Sequence, residues 1–252
     1  MASKALSREG LASFIRAVVA SSPSNRLAHI DGRAVFDIPM VGVADGDDPL
    51  FSTYKDIIGS HHLTPREVLT SLVPRYAHDA PVAVRVLCWV LPISAQTKQD
   101  NAAMTTEPSQ SWAHTRYYGE LFNNELRTEV ERYVREHGGT AVAPATSPLF
   151  RTARDMPGGP ASTWSERHAL YAAGLGTFGL CDGFLTPVGK AMRCGSVVTD
   201  VPLRVTTRRY DSHTEACAYL ERGTCGVCMA RCPVGAIGPF RPRQGRLRAL
   251  SG

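Results

Sequence analysis

The chain has 252 residues, 43% of them hydrophobic and 20% charged, with a formal net charge of +5. That size and apolar content suit one globular domain with a sizeable core, or one domain plus a small appendage, and the sequence contains no repeat and no low-complexity segment. No stretch approaches the roughly 18–20 uninterrupted apolar residues of a membrane span.

The N-terminal "MASKALSREGLASFIRAVVASSP" is amphipathic and lacks the apolar run of a signal peptide. Residues 4–21 place Leu6, Leu11, Phe14, Ile15 and Val18 near one helical face. A cytoplasmic protein is expected, where thiols stay reduced and clustered cysteines argue for metal over disulfides. The acidic loop "DGDDPLF" (45–51) lacks the D-x-D-x-D-G-x5-E frame of a calcium site. His61 and His62 then read as an exposed loop. Thr64 is the expected N-cap of the next helix, with Pro65 at its first position.

"PVAVRVLCWVLPIS" (81–94) is a nearly continuous apolar run with β-branched residues. It predicts a strand buried on both faces, with Cys88 inside. Residues 111–139 form the longest helical pattern, with Leu121, Leu126, Val130, Tyr133 and Val134 near one face and Gly138-Gly139 as the stop. "TAVAPA" suggests a second buried strand. Residues 144–162 are rich in Pro, Gly and Ser and read as a long loop. "STWSERHALYAAG" starts a helix with Ser162 or Thr163 as cap, and Glu166 sits where a capping box would want it if Thr163 is the cap.

The helix runs into "AGLGTFG", where Gly174, Gly176 and Gly179 spell G-x-G-x-x-G. A dinucleotide site needs a strand before the glycines and a helix after them. Here a helix precedes and "LCDGFLTPVG" follows, so a turn giving close approach to a flat cofactor or to the cysteine segment fits better. Cys181 and Cys194 are isolated and read as small core residues. Residues 193–207 suggest one or two strands. Arg241, Arg243, Arg246 and Arg248 crowd the last dozen residues, as a solvated tail or as a contact for an acidic partner or nucleic acid.

"TCGVCMARCPVGAIG" (224–238) holds three of the seven cysteines, Cys225, Cys228 and Cys232-Pro233. The spacing matches the latter part of the bacterial ferredoxin run C-x2-C-x2-C-x3-C-P. The position of the run's first cysteine is filled by Arg222, and the nearest upstream thiol is Cys217. Turns of this spacing let thiolates reach neighbouring corners of a cluster while backbone N–H groups offset its negative charge. One 4Fe–4S cluster on Cys217, Cys225, Cys228 and Cys232 is the preferred reading. Structural zinc is its rival, as is a shared arrangement in which Cys232 serves a second cluster.

"SERHALYAAGLGTFGLCDGFLTPVGKAMRCGSVVTDVPL" followed by "CAYLERGTCGVCMARCPVGAIG" resembles the epoxyqueuosine reductase family. With "SWAHTRYYGELFNNELRTEVERYVREHGGTAVAP" the resemblance covers about residues 80–238. It implies an α/β (α+β) fold: a nitroreductase-like, corrinoid-binding domain with a C-terminal ferredoxin-like iron–sulfur module. The expected division is 1–212 for the larger domain, 213–240 for the module and 241–252 for the basic tail.

The resemblance also implies that the cluster passes electrons to a cobalamin. Gly174, Leu175, Gly176 and Gly179 would then lie near the cofactor, with His168 as a proton donor or lower ligand to cobalt. Two departures stand out. Pro160 occupies the place of the family's acidic residue six positions before the glutamate aligned with Glu166, and the nearest acid, Asp155, is out of register. Neither a second ferredoxin half-motif nor the repeat domain that holds tRNA follows. The expectation is therefore an iron–sulfur oxidoreductase related to, but distinct from, epoxyqueuosine reductase. It would take electrons from a partner protein and act on a small molecule or modified nucleoside, without membrane or tRNA. The alternative is a non-catalytic electron-transfer or corrinoid-handling protein.

Overall fold

A computed structural model describes residues 6–78, 81, 83–154, 160–232 and 234–239. Asp155, Pro233 and the arginine-rich tail lie outside the described residues. The strands in chain order are β1 (Met40–Asp45), β2 (Arg85–Pro92), β3 (Ala141–Val142), β4 (Thr152–Ala153), β5 (Ala161–Ser162), β6 (Thr177–Phe178), β7 (Phe184–Leu185) and β8 (Met192–Thr199). The helices are α1 (Arg8–Ser21), α2 (Leu50–Ile57), α3 (Pro65–Leu72), α4 (Ala95–Ala102), α5 (Gln110–Glu136), α6 (Glu166–Ala172), α7 (Ala218–Arg222) and α8 (Val227–Ala230). None of the described helices is long and apolar enough to cross a membrane.

The main sheet has the order β1-β2-β8-β3, antiparallel throughout. β2 lies inside it and is covered on both sides, which is why its sequence is apolar at both parities. Leu87, Trp89 and Leu91 enter the core beneath α1 and α5. Val86, Cys88 and Val90 enter the opposite core, with Phe51 and Tyr54 of α2, Val68 and Leu69 of α3, and Ala169, Leu170 and Ala172 of α6. The fold is thus a mixed α/β sandwich of three layers.

One register pair explains a glycine. Trp89 faces Gly195 across β2 and β8, and a Cβ at Gly195 would stand 2.5 Å from the indole. The indole Nε1–H donates to Asn123 Oδ1 (2.9 Å) and Asn123 Nδ2 donates to the Cys194 carbonyl (2.9 Å), tying α5 to β8.

Several expectations need correction. In α5 Leu126, Val130 and Val134 are buried as the pattern indicates, but the apolar residue that joins them one turn earlier is Phe122, and Leu121 is exposed. The second buried strand is only the two-residue β3, half-buried. The 144–162 loop carries a 3-10 turn at Pro144–Thr146 and the β4–β5 pair. His62 is buried because it stacks on Trp164 and accepts the Ser165 N–H (3.2 Å). Thr64 does form a full capping box with Glu67.

Candidate functional site

Two features could carry chemistry. The first is a cavity of about 530 Å³ between α5, α6, β8 and residues 145–150 and 162–165. That volume is typical of a small-ligand pocket. Phe150, Trp164 and Met192 supply apolar wall, and Arg127, Glu166 and Cys194 supply polar groups.

Arg127 is an almost fully buried guanidinium on the core side of α5. It pairs with Glu166 (3.1 Å), bonds to Asn124 (2.6 Å) and Glu120 (3.2 Å), and donates to the Cys194 carbonyl (3.3 Å). Ser196 donates to the other Glu166 oxygen and accepts from Trp164 Nε1 (3.1 Å). Burial pushes the Glu166 carboxyl above its ordinary range, although Arg127 and Ser196 oppose this. Burial lowers Arg127, but Glu166 and Glu120 outweigh it and keep the guanidinium charged. The Cys194 thiol, desolvated and beside Glu166, is pushed up to about 12 and is no nucleophile at neutral pH.

Glu166 is therefore the partner of a buried cation and makes no capping box. The N-cap of α6 is Ser165, and Thr163 instead braces the preceding loop through Arg151 N–H (3.0 Å) and the Leu149 carbonyl (2.8 Å).

The second feature is the cysteine segment. Cys217 is buried at the start of α7, and Gly223 (φ 68°) closes that helix. Cys225 is exposed, and Cys228 and Cys232 are half-buried. The backbone N–H groups of Val227 and Gly226 hold the Cys225 thiol below its ordinary value. Amides of Val234 and Ala236, joined by those of Ile237 and Gly235, do the same for Cys232. The Ala236 N–H lies 3.3 Å from its sulfur. Gly235, at φ 62°, supplies the left-handed bend that turns these amides back. Burial raises the Cys228 thiol, helped by direct interaction with Cys181 and by the charge of Cys217.

Among the described residues, no three histidine, cysteine or acidic groups converge as one metal ion requires. Ligands of a cluster attach to separate iron corners and stand further apart. Backbone amides beside the thiols are the surroundings that an electron-rich cluster would need.

The glycine-rich turn is filled by the protein itself. Gly174 N–H donates to the Tyr171 carbonyl and Leu175 N–H to the Leu170 carbonyl, both at 3.0 Å, and Gly174 has φ 70°. This is a Schellman cap ending α6. A Cβ at Gly176 would lie 2.1 Å from the Leu185 carbonyl, and one at Gly179 would lie 3.2 Å from the Leu185 side chain. The close approach in this turn is to β7.

His168 is packed 4.8 Å from the Tyr54 and Phe178 rings, its Nδ1 is 2.7 Å from Ser165 Oγ, and Nε2 is buried without a partner. Burial lowers it to about 3. It is absent from the cavity wall. The described walls, at about 530 Å³, do not by themselves enclose a corrinoid with its nucleotide tail.

Solved structures of a catabolic reductive dehalogenase and of epoxyqueuosine reductase are similar to the chain. One dehalogenase structure is 18% identical with a TM-score of 0.46, covering 61% of this chain and 19% of that one. Its complex with 3-bromo-4-hydroxybenzoic acid is 14% identical with a TM-score of 0.49, covering 92% and 30%. Epoxyqueuosine reductase from Bacillus subtilis is 15% identical with a TM-score of 0.42, covering 91% and 52%. The chain thus spans about half or less of the length of these proteins, and likeness of this depth carries no argument about chemistry. No family model matches, and no curated protein matches.

The sequence reading missed Arg127, Ser196 and Lys190. Arg127 carried a signal: it follows Asn123 by four positions and precedes Val130 by three, on the buried face of α5. Cys181, read as a core residue, is instead half-buried and 2.7 Å from Lys190 Nζ.

Proposed function

We propose that the chain is an iron–sulfur redox protein in which a 4Fe–4S cluster on the C-terminal cysteine segment exchanges single electrons with a reaction site in the cavity beside Arg127 and Glu166. The observation that carries this reading is the amide cradle around Cys225 and Cys232 within the C-x2-C-x3-C-P spacing. Backbone N–H groups aimed at thiolates compensate negative charge. The sequence resemblance to epoxyqueuosine reductases supports the same chemistry. Cobalamin is the cofactor that resemblance implies, and corrinoid titration tests it separately.

The cavity suits a small polar substrate: apolar wall on one side, and a fixed cation with a buried carboxyl on the other. Electrons would come from a partner redox protein reaching the exposed Cys225 side. A second reading, electron transfer without chemistry of its own, is favoured by the engagement of Glu166 with Arg127 and Ser196, together with Pro160 at the place of the family's acid.

Iron, acid-labile sulfide and corrinoid are quantified on one anaerobic preparation. Iron and sulfide in equal amounts, with a visible absorption that bleaches on reduction, support the cluster. Their loss from the Cys225→Ser/Cys228→Ser variant places it on these residues. Zinc in place of iron, or iron unchanged in that variant, defeats the proposal. Corrin bands that shift on reduction favour the catalytic reading; cluster bands without corrinoid binding favour electron transfer.

A further inference from the structure

Beside the larger cavity lies a smaller one that the proposed reaction leaves unused. It has a volume of about 100 Å³ and lies between the first turns of α5 and the start of β8. Trp112 and Met192 give it apolar wall, and Thr115, Arg116, Lys190 and Arg193 give it polar groups. Met192 and Arg193 also line the larger cavity, so the two are neighbours across one stretch of β8. Arg193 Nη2 donates to the Arg116 carbonyl (2.9 Å), which ties α5 to β8 at this point.

Two observations point to a ligand there. Thr115 is 1% exposed, and its Oγ1 is buried without a hydrogen-bond partner. A buried hydroxyl left unpaired is destabilising, and such groups are rare in folded proteins. The second observation is charge. Glu166 is engaged by Arg127 (3.1 Å), and Glu120 is divided between Arg127 (3.2 Å) and Arg193 (3.4 Å). Among the described residues neither Arg116 nor Lys190 pairs with a carboxylate, and Lys190 Nζ lies 2.7 Å from Cys181 Sγ instead. Burial, joined by the charge of Arg116, lowers Arg193 from its ordinary value. Cations gathered about one small cavity, with an unused hydroxyl in its wall, are stabilised by an anion.

We propose that the small cavity receives the phosphate of a phosphate monoester whose organic body fills the larger one; this names the substrate class of the reaction site proposed above and rests on that reading. With both carboxylates already engaged, the cations left over match a dianion better than a singly charged carboxylate. A guanidinium also meets phosphate oxygens through paired N–H donors. The volume has room for a few water molecules, and so for one tetrahedral oxyanion. Phe150 and Met192 then cover the body of the ligand, and the Arg127–Glu166 pair meets its polar edge.

The probes are phenyl phosphate, inorganic phosphate and benzoate, titrated by calorimetry at about pH 7.5, where a phosphate monoester is mostly dianionic. They are added to full-length wild type, Arg116→Gln, Thr115→Val and Arg132→Gln. Arg116 is exposed, so its loss leaves the fold intact, and Thr115→Val keeps the side chain's shape. Arg132, paired with Glu129 and Glu136 further along α5, controls for net charge. Phenyl phosphate is expected to bind wild type at least about tenfold more tightly than inorganic phosphate, which lacks the body, or benzoate, which lacks the second charge. Its affinity is expected to fall about tenfold in Arg116→Gln and about threefold in Thr115→Val, and to stay unchanged in Arg132→Gln. No binding of phenyl phosphate to wild type, an equal affinity for benzoate or inorganic phosphate, or an affinity unmoved in both Arg116→Gln and Thr115→Val overturns the proposal. Iron and sulfide are measured on the same wild-type sample. Phenyl phosphate bound without iron and sulfide supports the ligand class and defeats the redox reading alone; iron and sulfide present with no phenyl phosphate bound defeats this proposal alone.

Discussion

Replacing Arg127 by Met should cost far more than a surface salt bridge is worth. Arg127 is 3% exposed and Glu166 14% exposed, so solvent screens the pair little. Removing one partner of a buried ion pair costs about 3–5 kcal/mol, because the other charge is left uncompensated. Two local details keep the loss near the lower end. The Cys194 carbonyl retains its bond from Asn123, and Ser196 still donates to Glu166. The bond to Glu120 adds little, since that carboxylate is 40% exposed. A loss of about 3 kcal/mol by urea denaturation at pH 7 is therefore expected.

The double variant Arg127→Met/Glu166→Gln removes the orphaned charge and should recover most of that loss. The pH dependence has a definite sign. Glu166 is raised in the folded state, so its contribution to stability is lost as pH rises from the ordinary carboxylate value through the folded value. Without Arg127 the carboxyl is raised further, and the single variant should be weaker at pH 8 than at pH 5 relative to wild type. Equal destabilisation of single and double variants, with no pH dependence, would refute the reasoning.

Other outcomes follow from the same geometry. Gly195→Ala drives a methyl into the Trp89 indole and should lower stability by about 1–3 kcal/mol, read as a fall in Tm. Thr64→Ala removes the capping box of α3 and should cost about 1 kcal/mol in the same assay. His62 and His168 are held by burial at about 4 and about 3. The unfolded chain takes up protons below about 6.5, so stability should fall with acid by up to about 1.4 kcal/mol per pH unit for each histidine. Urea midpoints between pH 7 and pH 5 measure this; a midpoint that does not move over that range contradicts the burial argument.

The sequence made legible what depends on local pattern. β2 was readable because burial on both faces leaves an unbroken apolar run, and Thr64 because Pro65 and Glu67 follow it at fixed offsets. Long-range pairing left no such trace: β8, which flanks β2, lies about a hundred residues away along the chain. Glu166 misled because T-x-x-E matches a capping box, whereas its real partners, Arg127 and Ser196, lie 39 residues before it and 30 after it. His62 and Cys181 were misread for a related reason. Each is decided by a side chain from another element, Trp164 in one case and Lys190 in the other.

A short helix gives the proposed electron path its physical plausibility. The first residue of α6, Glu166, stands in the cavity wall with Ser165 just before it, and the helix is seven residues long, about 10 Å. Its Schellman cap leads directly into β6, where the Phe178 N–H donates to the His213 carbonyl (2.6 Å) and Thr177 Oγ1 accepts the Ala216 N–H (3.1 Å). Cys217 is the next residue. The glycines of the turn thus bring the cysteine segment against the C-terminal end of the helix whose first residue lines the cavity, by letting β7 and the Thr207–Arg208 backbone approach within contact of Gly176 and Gly174. A side chain at Gly176 would separate β6 from β7, and with it the hairpin that carries Cys181. Gly176→Ala should therefore loosen the cysteine-segment end of the protein while the cavity residues Arg127 and Glu166 stay paired. Hydrogen exchange that rises at residues 177–185 and 213–217 but not along α5 would show this, and uniform exchange across both would count against it.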